Sequence, residues 1–577
     1  MIRRRNDRAA DGMSRIPAWM RRSIGVPVLI YAFVFIAGNW EHPLVAAESS
    51  RPNVWVIVAD DLGYSDLGCF GGEISTPNLD FLANGGLTLT QFYTNGRCVP
   101  SRASLLTGQY AHRVGLGHMI RDLGLPGYRA RVADNAVTLG EVLQAQGYRT
   151  YLAGKWHLGT PDPTQRGFDE FYGTLASAHT YWDPEHYLRR PEGKVARQYA
   201  PGEFYGTDAL ADHALDFISE ASADSDSPWF LYLAFNAPHF PLQAPASGIA
   251  KYADTYIRGW DELRRERFQR QKTLGLVPLE AILPPRSSSA TYANAEMHST
   301  SLWSSLPPER QADLARRMAI YAAMVERLDT NVGRVLDWLL KREELENTLI
   351  LFVSDNGACA EWGPYGFDIR SGPVGFLHEG TALEGMGSPG TYHSAGSGWA
   401  SLSNTPGRYF KHYTHEGGIA VPAFIHWPAG LKRNGVRDST PVHLIDVMPT
   451  IVEVTGASFP RRRGHKNVNP MEGLSLTPLF VGETLETRPI FFEHEGNRAV
   501  RFGDWKLVAL HNHPWELYHL ATDRGELTDR VADEPERARE MAASWERWAR
   551  AEQVWPAPSQ FPYPPLPPLP GHDPLDL

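Results

Sequence analysis

Residues 52–61 read PNVWVIVADD and continue with Leu62-Gly63-Tyr64; this stretch decides the fold. Residues 54–59 form an unbroken apolar run, without the alternation of a strand that has one wet face. Such a run is expected of a strand buried on both faces, as in a parallel sheet covered by helices. The segments 229–235 (WFLYLAF), 348–354 (TLILFVS) and 423–427 (AFIHW) have the same character. Helical periodicity runs over 138–146, 208–221 and about 309–342. In the last of these Met318, Tyr321, Ala322, Val325 and Leu328 share one face, continued by Val332, Val335, Leu336 and Leu339. Strands alternating with helices predict an α/β fold with a mainly parallel sheet.

Working outward, two long segments interrupt this pattern. Residues 245–305 begin Arg-rich and end Ser-rich; residues 360–407 are rich in Gly, Ser and aromatics and have no periodicity. Both are expected as loops that wall a binding site. Beyond about residue 455, short strands at 489–494, 499–502, 505–510 and 517–519 and a closing helix at 534–552 predict a small α+β domain. The expected organisation is a catalytic α/β domain over 48–455, the small domain over 456–555 and a Pro-rich tail over 556–577. At the other end, Arg21 and Arg22 precede an apolar run at 24–38, short of the ~20 residues that span a bilayer. Val45-Ala46-Ala47 follows, with small residues suited to signal cleavage. An export signal over 1–47 and a periplasmic or secreted protein without a stable membrane partner are expected; a membrane anchor is the alternative.

With 42% hydrophobic and 21% charged residues, the chain is not a disordered one. Its formal charge is −10, and losing the seven arginines and three acids of residues 1–47 takes it to −14. A chain that acidic repels phosphate backbones, so no nucleic-acid partner is expected. Three cysteines, Cys69, Cys98 and Cys359, exclude a disulfide framework and a Cys-rich metal site. Cys69 and Cys359 are expected as core or loop thiols.

The chemistry-bearing residues follow the strands. Asp60-Asp61 directly ends the first one, where ligands of open α/β sheets bind. Adjacent carboxylates repel unless a cation holds them, and clustered hard oxygens suit Ca²⁺ or Mg²⁺. Taken alone, the pair reads equally well as a turn. Asp355-Asn356-Gly357 closes another buried strand in the same way, and two such ends can converge on one ion. Cys98-Val99-Pro100-Ser101-Arg102 opens a helix, with Pro100 suited to its first position and Cys98 just before or at its N-terminus. Free N–H groups there favour an anion.

The stretch C-x-P-S-R-x-x-L-x-T-G resembles the sulfatase signature, in which the cysteine is oxidised to formylglycine after translation. PNVWVIVADD, GKWHLG (154–159), APHFP (237–241), SDNG (354–357) and HEGG (415–418) resemble further sulfatase blocks in order, from about residue 51 to 530. With residues 259–271 the chain looks most like the large bacterial arylsulfatases. The resemblance implies an alkaline-phosphatase-like α/β domain that hydrolyses sulfate monoesters. It implies one Ca²⁺ held by Asp60, Asp61, Asp355, Asn356 and an oxygen of the modified Cys98, and a formylglycine-generating maturation enzyme as partner. Arg102 and Lys155 would steady the formylglycine, and His157 would bond its hydrate. His239 and Lys411 would face the sulfate, with His239 protonating the leaving oxygen. Glu416 is expected to hold the Gly417-Gly418 turn, and His112, His179 and His412 to be structural. Two rival readings are a phosphate or phosphonate monoester hydrolase on the same scaffold and a non-catalytic binder of sulfated glycans.

Overall fold

The structure is a computed structural model and describes residues 51–176, 179–223, 227–286, 301–361, 363–369, 375–555 and 557–558. The export signal, most of the Pro-rich tail and the Ser-rich end of the first insertion lie outside the described residues. Among the described residues no helix is long and apolar enough to cross a membrane.

The main sheet is built from β1 (Asn53–Ala59), β2 (Leu87–Tyr93), β3 (Arg149–Lys155), β4 (Glu170–Thr174), β5 (Leu188–Arg190), β6 (Trp229–Ala234), β7 (Thr348–Ser354), β8 (Ala420–His426), β9 (Val436–Asp438) and β10 (Val442–His443). Its order is β10-β2-β8-β7-β1-β6-β3-β4-β5, with β9 also on β2. Pairing is parallel except at β8, which opposes β7 and β2, and at β5, which opposes β4. The continuous apolar run of β1 has the expected cause. Trp55, Ile57 and Ala59 enter one core, with the long helix Pro308–Lys341; Val54, Val56 and Val58 enter the other, with the helices Cys98–Thr107 and Leu139–Ala145. The short helix Leu139–Ala145 starts on a capping box in which Thr138 and Glu141 satisfy each other's backbone N–H.

Three interior strands, β2, β3 and β4, escaped the sequence reading. Their sequences LTLTQFY, RTYLAGK and EFYGT mix polar and apolar residues, yet almost every residue is buried. The insertion 245–305 also differs from expectation. It is not a loop over its charged part, which forms the helix Trp260–Thr273. Within 360–407 there are two short helices, Gly380–Glu384 and Ser397–Ser403.

In that Arg-rich helix Arg267 is fully buried and forks between Asp66 Oδ1 (2.6 Å) and both oxygens of Glu73 (2.7 Å each). Asp66 in turn accepts from the N–H of Gly63 (2.8 Å) and the hydroxyl of Tyr321 (2.7 Å). The arginine thus braces the loop that leaves β1. Arg267→Ala is expected to lower unfolding free energy by about 3–5 kcal/mol, because the buried Asp66 carboxylate loses its cation, while Glu73 keeps Arg270 (3.3 Å). Arg267→Lys should recover only part of this, since an ammonium cannot reproduce the fork. Urea denaturation of the two variants checks both statements.

A hairpin of β11 (Arg462–Arg463) and β12 (Lys466–Asn467) precedes a second, antiparallel sheet. That sheet has the order β13 (Pro489–His494), β14 (Asn497–Phe502), β15 (Trp505–Ala509) and β16 (Glu516–His519). The helix Pro535–Ala551 packs on it through Trp545 and Trp548.

Candidate active site

Four neighbouring parallel strands, β7-β1-β6-β3, end side by side. Past β1 stand Asp60 and Asp61, past β7 Asp355 and Asn356, and past β6 His239; Lys155 closes β3, with His157 two residues on. Cys98 and Arg102 come from the first turns of the helix Cys98–Thr107, which follows β2. Cys98 is its first residue, so Pro100 is the third and not the first; its missing N–H costs nothing in a turn whose N–H groups have no helical partner. Lys411 arrives on the loop before β8, its N–H bonded to the Ala358 carbonyl (3.2 Å). Gly357 and Gly417 let this loop close on β7: a Cβ on Gly357 would stand 1.9 Å from the Gly417 oxygen. The expected residues therefore lie along one edge, and all are buried.

Three carboxylates meet three cations. Lys155 Nζ donates to Asp60 Oδ2 (2.5 Å). Arg102 donates through Nε and Nη2 to Asp355 Oδ2 (2.9 and 2.7 Å), with Nη2 also 3.5 Å from Asp60 Oδ2. Lys411 Nζ donates to Asp61 Oδ2 (2.9 Å). Burial and the charge of Asp60 push the Asp355 carboxyl above its ordinary range. For Asp60, burial acts upward, but Lys155, His239, Arg102 and Lys411 hold the carboxyl well below that range.

Two buried oxygens in this cluster have no hydrogen-bond donor: Asp60 Oδ1 and Asn356 Oδ1. Asn356 spends its amide N–H groups on Asp61 Oδ1 (2.7 Å) and the Gly357 carbonyl (2.9 Å). Buried acceptors are rarely left unpaired. Orphaned oxygens among crowded carboxylates fit a hard divalent cation. Asp61 also holds a left-handed backbone (φ 67°), as does His157 (φ 55°), conformations that non-glycine residues adopt at a cost.

The histidines differ. His239 Nδ1 donates to the Phe240 carbonyl (2.7 Å), which leaves Nε2 facing Lys411 Nζ (3.3 Å) and Asp61 Oδ2 (3.4 Å). Burial lowers its pKa, against the pull of Asp61. His157 is fully buried and neither ring nitrogen has a hydrogen-bond partner; burial, Lys155 and Arg102 hold it neutral. The Cys98 thiol is pushed up by burial despite Lys155 and Lys411, so as a thiol it is a poor nucleophile.

Several contributors carried no signal in the sequence. Tyr181 donates to the His239 carbonyl (2.9 Å), Tyr321 to the Asp61 carbonyl (3.3 Å), and Glu361 stands 3.9 Å from Lys411. Each is remote in sequence from its partner and lies in no recognisable block. The insertion 360–407 walls the site: Ser394, Ala395 and Trp399 line a cavity with Asp61, Phe240 and Cys359. The helix Trp260–Thr273 only backs that wall, Arg264 donating to the Ser401 carbonyl (3.2 Å). Of the thiols, Cys69 lies in the core and Cys359 beside the site. Glu416 is buried against the second sheet, accepting from Lys506 Nζ (2.9 Å) and the Tyr93 hydroxyl (3.0 Å). His112 pairs with Glu493 (2.7 Å) and His179 stacks on His186. His412 belongs to a buried charge cluster considered below.

The family model described as Sulfatase matches residues 52–457, and the one described as N-sulphoglucosamine sulphohydrolase, C-terminal, matches 406–551. An uncharacterized sulfatase of Schizosaccharomyces pombe is 34% identical over 554 residues, covering 89% of this chain and 96% of that protein. An arylsulfatase of Klebsiella aerogenes is 35% identical over 457 residues, covering 75% of this chain and 93% of its own. The crystal structure of Ps i-CgsB in complex with k-i-k-neocarrahexaose superposes with a TM-score of 0.62 at 27% identity, over 89% of this chain and 95% of that one.

Proposed function

The chain belongs to the sulfatase family, with its alkaline-phosphatase-like fold, and from that premise we propose that it is an exported, arylsulfatase-like hydrolase of sulfate monoesters whose site is centred on Cys98. The observation that carries the reading is the meeting of Cys98 with three carboxylates and three cations at one sheet edge. In this reading residues 48–455 form the catalytic domain and 456–555 the smaller one.

Asp60, Asp61, Asp355 and Asn356 are the residues that would hold the ion, proposed as calcium, together with an oxygen at position 98. Such an ion supplies positive charge for a sulfuryl oxygen. A formylglycine made from Cys98 by a maturation enzyme supplies, as its hydrate, two hydroxyls on one carbon: one to attack sulfur, one to release the sulfate afterwards. The remaining work falls to the chain's own side chains. Arg102 and Lys155, fixed on Asp355 and Asp60, place positive charge beside position 98 and offset the repulsion between an anionic ester and its attacker. His157, neutral and unpartnered, offers a nitrogen to a hydroxyl at position 98. Lys411 binds the sulfate oxygens. His239, with Nδ1 spent on Phe240, has Nε2 left, in its protonated form, to deliver a proton to the departing oxygen.

Leaving groups separate the last two roles. His239→Ala is expected to slow an alkyl sulfate by roughly 10²–10⁴-fold, the range of general acid catalysis, and a nitrophenyl sulfate far less. Lys411→Ala should slow both to a similar degree. Equal losses for both substrates in His239→Ala would move the acid role to another group, Lys411 first. Paired nitrophenyl sulfate and phosphate test the reaction class; faster turnover of the phosphate would favour the phosphatase reading.

A further inference from the structure

Next to Lys411 in the chain, His412 is buried together with His118, His494 and Glu495, all at most 5% exposed. Glu495 Oε1 lies 2.8 Å from His118 Nε2 and 3.5 Å from His494 Nε2; its Oε2 lies 3.1 Å from His412 Nδ1. His494 is completely enclosed, and neither of its ring nitrogens has a hydrogen-bond partner. Burying an imidazole unpaired costs free energy, so a native cluster that does so calls for a ligand.

Three further features point to a cation. Glu495 is ion-paired with three imidazoles, those of His118, His412 and His494. Arg97, which lies against His412, is paired with Glu361 (3.5 Å), and Lys411 with Asp61 (2.9 Å), so each has a carboxylate of its own. Finally, Glu495 and Gly496 form the turn between β13 and β14 with φ of 53° and 84°, a turn that favours Asn, Asp or Gly at its first position. A glutamate there is not chosen for the turn.

We propose that His118, His494 and Glu495 form a second metal site of zinc class, which ties the β13–β14 hairpin to the segment carrying His118. The three donor atoms lie within 4.8 Å of one another. Tetrahedral bonds of ~2.0–2.1 Å set ligand atoms about 3.3 Å apart; His494 Nε2 stands 3.5 Å from Glu495 Oε1, and His118 Nε2, hydrogen-bonded to that oxygen at 2.8 Å, would move outward to make room for the ion. Two imidazoles with one carboxylate suit Zn²⁺ better than Ca²⁺, which takes oxygen ligands. His412, on the other Glu495 oxygen, orients that carboxylate from behind. The sulfate site supplies no ligand to this group.

The test uses the full chain, stripped with chelator, loaded with Zn²⁺ in excess Ca²⁺ and desalted. Elemental analysis is expected to find one zinc per chain. His494→Gln and Glu495→Gln should lose it, while Asp355→Ala should keep it. Wild-type protein that retains no zinc overturns the proposal. So does zinc that Asp355→Ala removes and His494→Gln leaves. Should the cluster variants fail to fold, Co²⁺-loaded wild type decides. Intense visible bands of a nitrogen-ligated, low-coordinate site support the assignment, and only the weak bands of a six-oxygen site refute it.

Discussion

Cys98→Ser is expected to lower turnover of sulfate esters by roughly 10⁶-fold, the scale on which loss of an enzyme's nucleophile acts. The substitution exchanges one atom, sulfur for oxygen, in the first turn of a helix whose N–H groups have no helical partner, so the thermal unfolding midpoint should stay where it is. What disappears is the chemistry. A serine side chain has a single hydroxyl, and once that oxygen carries sulfate no second hydroxyl on the same carbon can expel it. Mass spectrometry after incubation with substrate should therefore find sulfate retained at position 98. A Cys98→Ser protein with sustained turnover would contradict the assignment.

Asp355→Ala is expected to cost about 10³-fold in turnover, or roughly 4 kcal/mol at 1.4 kcal/mol per tenfold, the several kcal/mol that a Lewis-acidic ion contributes. The residue has two functions here: it fixes Arg102 through two hydrogen bonds, and it is one wall of the oxygen cluster that includes the unpaired Asp60 Oδ1 and Asn356 Oδ1. Calcium binding should be readable without any substrate. At a free concentration 100 times Kd, the ion stabilises the wild-type fold by about 2.7 kcal/mol, and Asp355→Ala should show none of this gain. Thermal unfolding with and without Ca²⁺ measures it. Full activity in a verified metal-free preparation would refute the ion's role.

Much of the sheet was legible because burial on two faces forces a recognisable composition: β1 and β7 carry unbroken apolar runs, 54–59 and 349–353, and acids follow closely after them. Strands β2, β3 and β4 were not, because their polar residues are satisfied by distant partners that a linear reading cannot see. The Thr150 N–H, for example, donates to Asp169 Oδ2 (2.8 Å). The charged helix Trp260–Thr273 failed for a similar reason. Arginines normally mark a wet face, yet Arg264 and Arg267 are buried, with Arg267 paired to acids from the β1 loop. At the site, the residues carried by sequence blocks lie along one edge. Glu361, Tyr181 and Tyr321, which brace Lys411, His239 and Asp61, are joined to them only by the fold.

The central claim, that a modified Cys98 is the working group, is open to one direct measurement. Trypsin cutting after Arg97 and Arg102 releases residues 98–102, CVPSR. In enzyme purified from a host with maturation activity, the mass of this peptide should show sulfur lost and an aldehyde gained, the modification should be captured by a hydrazide, and its fraction should track specific activity from batch to batch. A fully active preparation in which residue 98 is still an intact thiol would contradict the account.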